Sequence, residues 1–142
     1  MKSIIFSCAI ILAISSTVHA CPVPEKAKIH FKTNHPGAQK VHWSKDDGEF
    51  EVEFKESGKN MSCSYDKGGM LLETETEITI QELPAHIKEA VNKAYPNYNI
   101  EDIEEVSIPN AGIQYEMELE LGKIEFEVLV SGDGTSITKK SD

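Results

Sequence analysis

Residues 115–130 read YEMELELGKIEFEVLV, and this stretch decides the fold. Apolar and polar residues alternate on both sides of Gly122-Lys123, the period-two signature of half-buried strands. A glycine in the first of two turn positions suits the type II′ turn of a tight hairpin. That turn pairs Leu121 with Ile124, Leu119 with Phe126, Met117 with Val128 and Tyr115 with Val130, all on one face. The opposite face pairs Glu120 with Glu125 and Glu118 with Glu127. A slip of one residue would carry the apolar set to the wrong face, so the register is strongly specified.

A diluted copy lies upstream, from Phe50 to Tyr65. With Ser57-Gly58 at its turn, Phe54 faces Met61, Val52 faces Cys63 and Phe50 faces Tyr65. An offset of 65 carries Phe50, Val52, Phe54 and Tyr65 onto Tyr115, Met117, Leu119 and Val130. The outer face of this copy pairs Glu53 with Ser62 and Glu51 with Ser64, so doubled acidic pairs are expected only in the second copy.

Helices precede both hairpins, and they correspond at an offset of 60. Pro24 and Pro84 suit the first turn of a helix, where a missing N–H costs nothing. Pro36 and Pro96 close each helix, because the residue before proline avoids helical angles. Leu83, Ile87, Ala90, Val91, Ala94 and Tyr95 form an apolar stripe at helical spacing. The matching Val23, Ala27, His30, Phe31, Asn34 and His35 are more polar, which predicts looser packing of the first helix. Strands are expected over Gln39 to Ser44 and Ile100 to Ile108, and again over Met70 to Thr79 and Thr135 to Lys139. The turns between them, at Asp46-Asp47-Gly48, Asp66-Lys67-Gly68-Gly69, Pro109-Asn110-Ala111-Gly112 and Ser131-Gly132-Asp133-Gly134, carry residues that accept turn geometry. The fold class that follows is α+β, with two tandem helix-plus-antiparallel-sheet repeats over residues 21–80 and 81–142. Each half alone is of marginal size for burying a core, so two packed halves are expected rather than two independent domains.

Residues 1–20 read as a secretory signal peptide: Lys2, then the short apolar run IIFSCAIILAI, then small residues around Val18-His19-Ala20. The run is too short for a comfortable membrane span. Export, to a periplasm or to the medium, follows. Cys21 stands directly after the expected cut, and Val-His-Ala-Cys offers a lipidation box as an alternative to plain cleavage. A membrane partner is expected only in that case. A Cys21–Cys63 disulfide is permitted by an oxidising compartment, but a buried free thiol at Cys63 is the preferred reading. The net charge of −10 argues against nucleic acid and anionic membranes, and permits a basic protein or a cation as partner.

The arrangement resembles the β-lactamase-inhibitor-like, PepSY-like periplasmic proteins. The residues that carry the likeness are Leu83-Pro84, Tyr95-Pro96, Tyr115-Glu116-Met117-Glu118-Leu119 and Gly122-Lys123, with Phe50-Glu51-Val52-Glu53-Phe54 and Gly58-Lys59 in the first copy. The resemblance implies helices packed on one face of the sheet and export to a bacterial envelope. It implies no chemistry, and a shared fold does not establish function. His35-Pro36 departs from the Tyr-Pro of the pattern.

The candidate contact residues are Glu116, Glu118, Glu120, Glu125 and Glu127, with Glu51 and Glu53 of the first copy. Like charges directly opposite on a sheet destabilise by roughly 0.2–1 kcal/mol per pair. A basic protein would neutralise them, while a plain solvated face is the competing reading. Divalent cations favour carboxylate oxygens, yet glutamates laid out on a flat sheet form no cage. His30, His35 and His42 carry no metal-binding spacing, and no metal or cofactor is expected. Trp43 alternates with Val41 as a core residue would, although its type also suits an interface. No nucleophile elbow, zinc-binding helix or phosphate loop is present. The expectation is a non-enzymatic exported binding protein, with periplasmic divalent-cation binding or sensing as the alternative.

Overall fold

The computed structural model describes residues 22–140 apart from Asp47. The expectations for the signal peptide, for Cys21 and its lipidation or disulfide, and for Asp47 in its turn lie outside the described residues.

Ten elements follow one another: α1 (Glu25–Asn34), β1 (Gln39–Asp46), β2 (Glu49–Glu56), β3 (Lys59–Tyr65), β4 (Leu71–Ile78), α2 (Ala85–Ala94), β5 (Asn99–Ile108), β6 (Gly112–Leu121), β7 (Ile124–Ser131) and β8 (Ile137–Lys139). The eight strands form one antiparallel sheet in sequence order, so every strand neighbours the strand before it. The protein is therefore of mixed helix-and-sheet class.

Both hairpins adopt the expected register. Leu119 faces Phe126, Met117 faces Val128 and Tyr115 faces Val130; Phe54 faces Met61, Val52 faces Cys63 and Phe50 faces Tyr65. Their turns differ. Ser57 and Gly58 both have positive φ, the type I′ pattern, whereas at the second turn Gly122 has φ of 68° and Lys123 does not share the left-handed region. The strands also run slightly beyond or short of their expected ends.

The two helices begin and end alike. Pro24 (φ −55°, ψ 135°) and Pro84 (φ −55°, ψ 136°) stand just before the first helical residue, and their carbonyls accept from Lys28 and Lys88. His35 and Tyr95 close the helices with backbone N–H bonds of 2.8 Å to Phe31 and Val91.

Burial falls into two clusters. Ala27 and Phe31 of α1 pack with Phe50, Val52, Phe54, Cys63 and Tyr65. Leu83, Ile87 and Val91, on or just before α2, pack with Ile103, Tyr115, Met117, Leu119, Val128 and Val130. The first helix, despite its polar sequence, joins its cluster through aromatic contacts: Phe31 meets the rings of Phe54 and Trp43 edge-on, with centroids 5.0 and 5.7 Å apart. Trp43 is half-buried and packs against this cluster. Gly69 (φ 76°) sits where a Cβ would come within 2.8 Å of the Ala27 backbone nitrogen, so this turn fits against α1 only with glycine.

Edge strand β1 carries an irregularity between Gln39 and His42, with Lys40 at φ 54°. The other edge, β8, has three residues. Bulges and short edge strands both discourage pairing with other chains.

Candidate functional site

Glu51 and Glu53 alternate with buried Phe50, Val52 and Phe54, and so face away from the first core cluster. Their partners are Ser64 and Ser62, as the pattern demands. Glu116, Glu118 and Glu120 alternate in the same way with buried Tyr115, Met117 and Leu119. Glu118 lies opposite Glu127, Glu120 opposite Glu125, and Glu116 opposite Leu129.

The doubled acidic pairs are not confined to the second hairpin. Glu77 of β4 lies opposite Glu104 of β5, which lies opposite Glu116 of β6. Three carboxylates thus stand in a row across three strands at the centre of the sheet. Glu101 adds another pair with Glu118. Glu73 and Glu75 lie on the same strand face as Glu77, opposite Ser64 and Ser62. The E-T-E-T-E alternation of residues 73–77 carried this signal. Its place in the face depended on β4 lying between β3 and β5, which strand pattern alone does not settle.

Hydrogen bonds order part of this row. Ser62 Oγ donates to Glu75 (2.9 Å) and Asn60 Nδ2 donates to Glu77 (2.6 Å). Lys140 reaches Glu116 at 2.5 Å and Glu127 at 3.4 Å. Burial would lower the Lys140 pKa, but the two carboxylates outweigh it and raise it.

The central carboxyls are partly desolvated. Burial first, then the charges of Glu75 and Glu116, push Glu104 up to about 7. Glu73 is raised by burial and by Glu75 and Glu116. Glu116 is raised by burial despite Lys140, and Glu118 by burial and Glu125. A face that holds its charge this reluctantly can gain from any cation that replaces the missing water.

Elsewhere, His35 links two groups that the sequence kept far apart. Its Nδ1 lies 2.8 Å from Glu56 and its Nε2 lies 3.6 Å from the Cys63 sulfur. Thr74 Oγ1 is also 3.5 Å from that sulfur. The order carboxylate, imidazole, thiol is that of a cysteine nucleophile. Yet Cys63 is free and fully buried, and burial raises its pKa, so it stays a thiol; such cysteines are inert. His30 pairs with the Tyr65 hydroxyl at 3.1 Å, and His86 lies 3.1 Å from the Gly132 carbonyl. Among the described residues, no group of three or more His, Cys, Asp or Glu side chains could hold a metal ion.

Among the described residues, two helices accompany one eight-stranded antiparallel sheet, a mixed helix-and-sheet scaffold. The chain belongs to the family described as "Putative beta-lactamase-inhibitor-like, PepSY-like", whose model matches residues 12–73 and again residues 63–138. Among solved structures, a BLIP-like protein from Bacteroides fragilis is similar at a TM-score of 0.72 and 22% identity, covering 84% of this chain and 86% of that one. A DUF2874 family protein from Bacteroides ovatus gives 0.74 and 18%, covering 83% and 88%. A protein from Bacteroides eggerthii described as one of the "putative periplasmic proteins" gives 0.74 and 16%, covering 83% and 89%. At these identities the likeness is one of fold. A comparison with curated proteins found no match.

Proposed function

We propose that this chain is an exported, non-enzymatic, inhibitor-like binding protein whose glutamate face contacts a basic protein of the cell envelope. The observation that carries the reading is the row Glu77, Glu104 and Glu116, continued by the Glu118–Glu127 and Glu120–Glu125 pairs. Opposed like charges destabilise a sheet, and Asn60 and Lys140 answer only part of the row. A partner that supplies lysine or arginine side chains would discharge it, and complementary charge of this kind governs encounter rate and specificity.

On this reading the chain is two repeats, residues 21–80 and 81–142, behind a signal peptide. The double match of the family model and the like capping of α1 and α2 support that division. Both helices then cover one face of the sheet and leave the glutamates on the other. The continuous ladder from Met61, which packs against the first core cluster, through Thr76 and Glu105 to Tyr115 of the second supports this. The "periplasmic" description of the Bacteroides eggerthii neighbour supports export. Cation binding or sensing has no comparable observation in its favour.

The test is recovery of partners from an envelope extract by wild type and by Glu118→Lys/Glu127→Lys. The variant should lose a partner that wild type also releases in high salt. Equal recovery of every partner by both would remove the proposal.

A further inference from the structure

The two halves differ in one place where their backbones agree. After α1, the Ala38 N–H bonds the His35 carbonyl at 3.2 Å; after α2, the Tyr98 N–H bonds the Tyr95 carbonyl at 3.2 Å. Each turn leads directly into a strand, β1 or β5. Ala38 and Tyr98 therefore hold the same position.

What they do with it differs. In the second half Tyr95, Tyr98 and Phe126 pack together, with ring centroids 5.8, 5.4 and 5.3 Å apart. In the first half the corresponding residues are His35, Ala38 and Met61, and the Tyr98 ring has no counterpart. A groove of about 530 Å³ opens between α1 and β1, with His35 and Ala38 in its lining. Small-molecule sites commonly span roughly 300–1,000 Å³.

Phe31, Trp43, Val41, Ala38 and Pro36 make its walls. Val41 is 43% exposed. His35 completes the lining, fixed from behind by Glu56, which also accepts from the Gly37 N–H at 3.0 Å. The charged lining groups are Lys28 and Lys32, one turn apart on α1. Lys28 lies 3.6 Å from exposed Glu25, and Lys32 makes no ion pair among the described residues. Two cations at the rim of an aromatic groove stand out in a chain of net charge −10.

We propose that this groove binds a small aromatic carboxylate. Its ring would sit where the second half seats Tyr98, and its carboxylate between Lys28 and Lys32. The site lies on α1 and β1, outside the glutamate row, and does not rest on the proposed function.

Trp43 is the chain's single tryptophan and lines the groove, so its emission reports on occupancy. The probe is 4-phenylbutyrate, with its neutral amide as control, titrated into the signal-free chain. The acid should give a saturable change with a Kd on the order of 1 mM or tighter, as expected for a ligand of this size. The amide should bind about tenfold more weakly, and Lys28→Gln/Lys32→Gln should erase that difference. Ala38→Tyr should abolish binding of both while keeping cooperative unfolding. Amide chemical shifts of the wild type provide a readout independent of any variant, and should move at Ala38, Val41 and Trp43 rather than at Tyr95 and Tyr98. No saturation by about 20 mM, far weaker than such a site should give, would overturn the proposal. So would shifts outside the groove, or unchanged affinity in a folded Ala38→Tyr.

Discussion

Replacing Glu104 with glutamine should make the protein more stable above neutral pH and leave it unchanged in acid. Glu104 is flanked by Glu77 on one strand and Glu116 on the other, and is half-buried. Its carboxyl is pushed from 4.5 up to about 7, by burial first and by Glu75 and Glu116 next. Because the folded pKa lies above the unfolded one, the folded state holds this proton more tightly. The stability that protonation provides is complete below about pH 4.5 and is lost as pH rises through about 7. The full rise corresponds to at most about 3 kcal/mol. Solvent reaching the carboxylate reduces that to about 1.5–2 kcal/mol. Glutamine keeps the shape and the hydrogen-bonding capacity but cannot ionise. Urea unfolding at pH 4, 6 and 8 should therefore show no difference between Glu104→Gln and wild type at the lowest pH. At the highest, the variant should lead by about 1.5–2 kcal/mol, or roughly 6–8 °C in Tm for a chain of this size. Glu73, Glu116 and Glu118 are raised too and give both proteins a shared background slope, so the difference between them is the quantity that counts. A gap of the same size at every pH would show that Glu104 is not carrying a displaced proton, and the desolvated row would lose its basis.

Lys140→Ala should raise the Glu116 pKa further, which carboxyl NMR titration would detect, because the ammonium that opposes burial there is removed. Gly69→Ala should cost at least about 2 kcal/mol by chemical unfolding, since it combines a left-handed backbone with a collision against α1. Gly58→Ala should cost only about 1 kcal/mol, because its φ is positive but nothing lies within 4 Å of the new Cβ. Ile87→Ala, at a fully buried position of α2, should cost about 3–4 kcal/mol in the same assay.

The hairpins were legible because their information is local. Alternation around Gly122 and Gly58 specifies both turn and register, and the proline pairs bracket both helices. The candidate site was legible only where it lies on those hairpins. Glu118–Glu127 and Glu120–Glu125 could be paired across a two-residue turn, whereas Glu77 and Glu104 are separated by an entire helix. The same holds for His35, whose partners Glu56 and Cys63 reach it only once α1 lies on the sheet. The departure from Tyr-Pro at His35-Pro36 was visible as an oddity. Its consequence, together with Ala38, is an unfilled space, and that required the second half as a template.

The unbroken sequence order of the strands has a kinetic corollary. No ladder must wait for a remote part of the chain, so closure entropy stays small at each step. Chains dominated by such near-neighbour contacts fold quickly for their size. The segment from α1 to β4 could begin to assemble before the last hairpin has emerged from whatever delivers it. An early start of that kind would shorten the time in which bare strands could stick to one another.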